Sequence, residues 1–187
     1  FIKLSPGDRV LDVGTGCGII PLLLLKREPC LQITAVEIQP SLYESAVRNV
    51  SQNGLTDRVE VVPGDFSRKG LLQGQFDMIV SNPPYRKINS GRINPNRIKA
   101  LARHELALTL SSLLENASAL LKSGGKITLA YPPARLEEVR RELVRVEIRP
   151  DRLRFVHGHQ RTNAKIAVIE AVKGGSAECV LDEQFCV

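Results

Sequence analysis

Short apolar runs alternate with helical patterns along the chain. Arg9 to Val13 is a compact apolar run after the turn Ser5-Pro6-Gly7-Asp8, and it predicts a strand. Ile19 to Arg27 is apolar on nearly all sides and predicts a buried helix. Gln32 to Glu37 predicts a second strand. Pro40 to Asn53 predicts a helix, stopped at Asn53-Gly54. Val59 to Val62 and Phe76 to Val80 predict the third and fourth strands. Asn96 to Lys122 carries a long helical pattern that Gly124-Gly125 ends, and Lys126 to Tyr131 follows as a strand. Arg135 to Arg145 is an amphipathic helix of mixed charge. Arg152 to Val156 and Lys165 to Val172 finish the chain's regular structure as two strands.

Strand and helix in alternation mean an α/β fold, a doubly wound, mostly parallel sheet with helices on both faces. Ligands of such sheets bind at the carboxyl ends of the strands, where the strand order reverses. The residues ending each strand therefore carry the most information. They are Asp12 to Gly18, Glu37, Asp65 and Asn82 to Tyr85.

Composition narrows the class. Hydrophobic residues make up 43% and charged residues 25%, a globular balance. The longest apolar run, Ile19 to Leu25, is far short of the ~20 residues that span a membrane, and the first residues lack the order of a signal peptide. Cysteines at 17, 30, 179 and 186 have no zinc-site spacing, so reduced thiols in a cytoplasmic protein and no metal are expected. The net charge of +6 points to a polyanionic partner, nucleic acid before membrane.

The first strand runs into Asp12-Val13-Gly14-Thr15-Gly16-Cys17-Gly18. Glycines at 14, 16 and 18 let the backbone turn tightly and approach a ligand. A dinucleotide fingerprint would place its third glycine at 19, which is Ile19. Glu37 ends the second strand, where a carboxylate accepts ribose hydroxyls through charge-assisted hydrogen bonds. Asp65 follows the third strand, placed to accept from an adenine amino group while Phe66 packs against the ring.

Asn82-Pro83-Pro84-Tyr85 follows the fourth strand. Two prolines fix the backbone and bring carbonyls without N–H donors. The loop thus presents acceptors, the Asn82 side-chain oxygen and the Pro83 carbonyl, that suit a planar NH₂ group. Engaging both hydrogens leaves the nitrogen lone pair for attack, and Tyr85 offers a face for stacking.

Together, Asp12 to Gly18, Glu37, Asp65 and Asn82-Pro83-Pro84-Tyr85 resemble a class I S-adenosylmethionine-dependent amino-methyltransferase. That resemblance implies a seven-stranded, mostly parallel sheet with a reversed last strand. It implies S-adenosylmethionine as cofactor, held by Asp12, Gly14, Gly16, Gly18, Glu37, Asp65 and Phe66, with Asn82 at its edge. It makes Asn82, Pro83 and Tyr85 the catalytic set. Val36-Glu37-Ile38-Gln39-Pro40, Asn53-Gly54-Leu55, Gly91-Arg92-Ile93-Asn94-Pro95, Ala102-Arg103-His104-Glu105 and Glu170 to Gly175 resemble the bacterial tRNA(Val) adenine-N(6) methyltransferases. The implied reaction is methyl transfer to the exocyclic N(6) amine of an adenine in tRNA. Enzymes that methylate protein glutamine share the loop, and a non-catalytic RNA-binding module of the same fold is the further alternative. Members of the family carry a segment before the first strand that helps close the cofactor site; this chain starts almost at that strand and reads as a fragment. Residues 1–175 form the expected domain and 176–187 a tail.

Charge placement adds to this. From Met78 to His104 there are six basic residues, Arg86, Lys87, Arg92, Arg97, Lys99 and Arg103, and no acid. Arg86, Lys87 and Arg92 follow the loop directly, where phosphates flanking a flipped base would lie. Arg135 to Arg154 instead mixes seven arginines with five acids and reads as an exposed face. His104 and Glu105 read as a packed or capping pair, Cys17 as a small space-filler and Asp77 as a cap or pairing group, while His157 and His159 lack the further ligands that a metal site needs.

Overall fold

The computed structural model describes residues 1–83, 108–158, 162–175, 179–183 and 185–186. At its centre is β1 (Arg9–Val13), whose last four residues are all buried. A strand covered on both faces reads as a continuous apolar run, and that is why Val10-Leu11-Asp12-Val13 does not alternate. Around it stand β2 (Gln32–Glu37), β3 (Val59–Pro63), β4 (Phe76–Ser81), β5 (Leu121–Tyr131), β6 (Ile148–His157) and β7 (Ile166–Lys173). The sheet order is β3-β2-β1-β4-β5-β7-β6. Neighbouring strands from β3 to β5 are parallel, and β7 runs antiparallel to both β5 and β6. The expected seven-stranded sheet with its reversed seventh strand is present. Two two-residue strands, β8 (Val180–Leu181) and β9 (Phe185–Cys186), extend it by pairing with β6.

Each face has its own core. On one, α1 (Ile19–Arg27) and α2 (Pro40–Gln52) bring Leu24, Leu25 and Val50 onto Val10, Ile33, Ala35, Met78 and Val80. On the other, α3 (Leu110–Leu120) and α4 (Leu136–Arg145) bring Leu113, Leu114, Val139 and Leu143 onto Leu11, Ile79, Ile127 and Leu129. The strand residues on the two lists alternate, as a pleated strand buried on both sides requires.

Several boundaries differ from the sequence pattern, the larger shifts for local reasons. The helix expected over 96–122 lies outside the described residues until 107. Its described part begins at Leu110, because the Thr109 hydroxyl accepts the Ser112 N–H and caps the turn. It ends at Leu120, where Lys173 Nζ donates to the Ser118 and Leu121 carbonyls and closes the helix end. β5 therefore begins at Leu121 rather than Lys126. β6 begins at Ile148, four residues before the expected Arg152. Pro150 is accommodated at a register shift in the β6–β7 pair, so the proline does not interrupt the strand. Asp77 pairs rather than catalyses: it accepts from Lys122 Nζ at 2.6 Å and from the Arg9 N–H. No helix among the described residues is long and apolar enough to cross a membrane.

Candidate active site

The strand order reverses between β1 and β4, since β2 lies on one side of β1 and β4 on the other. The crevice outside the carboxyl ends of β1 and β4 is the expected ligand position. The glycine turn leaves β1 there and Asn82 leaves β4.

Gly14, Gly16 and Gly18 all have left-handed φ, at 74°, 62° and 84°. A side chain would strain every one of these positions. The turn is fixed to β2 by the Gly14 and Thr15 N–H groups, both donating to the Val36 carbonyl. Glu37 is 2% exposed and organises the same turn. Its Oε2 accepts the Gly16 N–H at 2.9 Å and its Oε1 the Gln39 N–H at 2.8 Å. From α2, Asn49 Nδ2 donates to the Cys17 carbonyl.

Asp12 lies at the end of β1, wholly buried. Neither carboxylate oxygen has a hydrogen-bond partner among the described residues. Burial pushes its pKa up to about 7, and the nearby Glu37 charge adds to the rise. The Thr15 hydroxyl is near enough to oppose this, but its geometry falls short of a hydrogen bond. A buried acceptor left open at a cleft is the natural partner of a cationic donor.

Opposite the glycine turn, Gly64 donates its N–H to the Glu37 carbonyl and brings Asp65 and Phe66 into place. Val13, Gly14, Val36 and Ile38 line one side of a narrow cleft, and Gly64, Asp65 and Phe66 the other. Asp65 Oδ1 accepts the Ser67 N–H, and Phe66 is buried. Asn82 is exposed at the end of β4 and Pro83 is buried behind it. Asp12, Gly14, Gly16, Gly18, Glu37, Asp65, Phe66, Asn82 and Pro83 thus share one end of the sheet. Tyr85, Arg86, Lys87 and Arg92 lie outside the described residues.

Three contributors were not visible in the sequence. Leu108 completes the cleft wall. Asn116 Nδ2 donates to the Phe66 carbonyl at 2.6 Å, tying α3 to the turn that carries Asp65. Ser81 is buried, and its hydroxyl donates to the Val13 carbonyl at 2.8 Å. Each is an ordinary residue inside an apolar pattern, with no local signal of its long-range partner. A wider cavity of about 660 Å³ lies near the amino ends of β5 and β6, away from Asn82. Of the charged groups lining it, Lys173 closes α3, and Arg145 pairs with Glu115 and Glu142. Among the described residues no group of three or more His, Cys, Asp or Glu is placed to hold a metal.

This sheet order with a reversed seventh strand, and a glycine turn and acid at adjacent strand ends, define the class I methyltransferase fold. The chain belongs to the Methyltransferase small domain family, matched over residues 2–138. Solved structures agree with the fold. A predicted O-methyltransferase from Agrobacterium tumefaciens covers 100% of this chain and 83% of its own, with TM-score 0.76 at 19% identity. A methyltransferase from Pyrococcus furiosus covers 92% and 78%, with TM-score 0.67 at 24% identity. Among curated relatives, the "tRNA1(Val) (adenine(37)-N6)-methyltransferase" of Porphyromonas gingivalis is 40% identical over 134 residues, 70% of this chain and 52% of its own. The protein of the same name from Bacteroides thetaiotaomicron is 37% identical over 135 residues, 71% and 55%. The chain spans about half the length of these curated relatives. Class I methyltransferases use S-adenosylmethionine as methyl donor. The residues fit it: an open buried carboxylate for its ammonium group, a second acid for its ribose and a cleft with an aromatic wall for its adenine.

Proposed function

We propose that the chain transfers a methyl group from S-adenosylmethionine to the N(6) amine of an adenine in tRNA. The observation that carries this reading is the acceptor loop: Asn82 leaves β4 at the switch point, beside the glycine turn and the unpartnered Asp12 carboxylate. The naming of several relatives as tRNA adenine-N6 methyltransferases supports the choice of substrate.

In this reading Asp12 receives the cofactor's ammonium group, Glu37 its ribose and Asp65 with Phe66 its adenine, while Gly14, Gly16 and Gly18 let the main chain approach. The cofactor supplies an electrophilic methyl group on a sulfonium. Asn82 Oδ1 and the Pro83 carbonyl accept the two amine hydrogens and aim the nitrogen lone pair at that methyl. Tyr85 stacks on the target base. Positioning and acceptor placement do the work, with no strong base required. Arg86, Lys87 and Arg92 contact phosphates around the flipped adenine. Residues 1–175 carry this activity and 176–187 form a tail. A tRNA substrate supports a cytoplasmic location.

The test is methyl transfer from labelled S-adenosylmethionine to tRNA and, in parallel, to a glutamine-bearing protein substrate, followed by nucleoside mass spectrometry. N(6)-methyladenosine in tRNA is the expected product. Label in protein glutamine would replace the reading with the glutamine alternative. Cofactor binding without turnover on either substrate would favour the non-catalytic module.

A further inference from the structure

The two loops that must cooperate leave from neighbouring strands. Val13 and Ser81 are register partners at the carboxyl ends of β1 and β4. Val13 leads directly into Gly14, where the cofactor turn begins. Ser81 leads directly into Asn82, where the amine acceptors begin. The Ser81 side chain is 3% exposed and its hydroxyl donates to the Val13 carbonyl at 2.8 Å, across 68 residues of chain. Two residues after Ser81 the chain reaches Pro83, which has no N–H to add to the ladder. The hydroxyl therefore adds a cross-link at the last point where the two strands still run together.

We propose that Ser81 is a positioning residue for the transfer: its hydroxyl holds the amine-accepting loop at a fixed distance from the cofactor turn. The proposal rests on the methyl-transfer reading of the same site. An in-line displacement is sensitive to this spacing, since a misplacement of ~1 Å costs on the order of 10² in rate. Ser81 faces the Val13 main chain rather than a ligand. Its loss leaves the cofactor's own contacts, Asp12, Glu37 and the glycine turn, intact. The signature is a fall in turnover without a fall in cofactor affinity, and a local loosening at the ends of β1 and β4 alone.

The test compares the unaltered chain with Ser81→Ala and Ser81→Thr, the second retaining the hydroxyl on a strand-favouring residue. Three quantities are read: S-adenosylmethionine affinity by calorimetry, kcat and KM for tRNA, and amide hydrogen exchange by NMR. Ser81→Ala is expected to keep cofactor affinity within about twofold and to lose about 10- to 100-fold in kcat, the range a misplacement near 1 Å commands. Exchange of the Gly14 amide, which donates to the Val36 carbonyl beside the tie, is expected to rise while that of α3 and α4 stays unchanged. Ser81→Thr is expected to restore both turnover and protection. Wild-type exchange at Gly14 in Ser81→Ala overturns the proposal. So does a loss of kcat matched by an equal loss of cofactor affinity, which marks general loosening of the site. If the unaltered chain methylates no tRNA, the functional reading fails, and the exchange comparison still decides whether Ser81 ties the two loops.

Discussion

A buried carboxylate with no donor is costly when ionised, and Asp12 is such a group. Its pKa is raised from 3.8 to about 7 by burial first and by Glu37 second. The sign follows. Without ligand the folded state favours the protonated acid, so this contribution to stability is present at low pH and lost as pH rises through about 7. A bound ammonium reverses the preference and draws Asp12 into its ionised form. The cofactor's amino group stays charged up to roughly pH 7.7. Binding below neutral pH should therefore release close to one proton per site. Affinity for S-adenosylmethionine should rise between about pH 5.5 and 7.5. In Asp12→Asn both effects should vanish. Calorimetry in buffers of different ionisation enthalpy reads the proton directly, and an unaltered proton count in Asp12→Asn would remove the assigned role. The residue type and its place before three glycines were legible in the sequence. Its isolation was not, because only the packed fold shows that no donor among the described residues reaches it.

The elements show where sequence patterns stop being informative. β1, β2 and β4 were readable because each is a compact apolar run, and α2 because Pro40 starts it and Asn53-Gly54 ends it. β6 was read four residues short because Pro150 and its charged neighbours resemble a loop, and only pairing with β7 absorbs the proline at a register shift. The start of α3 depends on Thr109, whose capping oxygen is a single residue inside a long helical pattern. Within α3, Asn116 holds the Phe66 carbonyl from 50 positions away. Losing one such hydrogen bond costs about 1 kcal/mol. Asn116→Ala should therefore lower the midpoint of thermal unfolding by several degrees. It should also weaken adenine-containing ligands a few-fold, because the Asp65–Phe66 turn loses its anchor. Binding of S-adenosylhomocysteine and of methionine alone separates the two ends of the site: the first should weaken and the second should not.

For the whole molecule, net charge matters less than where it sits. The chain carries +6, yet along α4 and the residue before it Arg135 pairs with Glu138, Arg140 with Glu137 and Arg145 with Glu142. Pairs of this kind at one helix face neutralise themselves and leave little field for a polyanion. The acid-free run from Arg86 to Arg103 has no acid within its own sequence to do the same. Each phosphate neutralised adds about 0.7 to 0.9 to the slope of log affinity against log salt. Changing Arg86, Lys87 and Arg92 together to Ser should flatten the slope for tRNA by about two units. Changing Arg140 and Arg141 should leave it nearly unaltered. Equal slopes in the triple variant and the parent chain would take the RNA surface away from this run.

The central claim is that the loop after β4 activates the target amine by accepting its hydrogens, separately from cofactor binding. Single-turnover methyl transfer to tRNA by Asn82→Ala, measured alongside its affinity for S-adenosylmethionine, addresses this most directly. Removing one preorganised hydrogen-bond partner of a reacting group costs about 10² to 10³ in rate. The account predicts a loss of that size with folding and cofactor affinity retained, since Asn82 is exposed at the end of β4 and makes no part of the core. Turnover at the parent rate would mean that the loop is structural and that the amine is activated elsewhere.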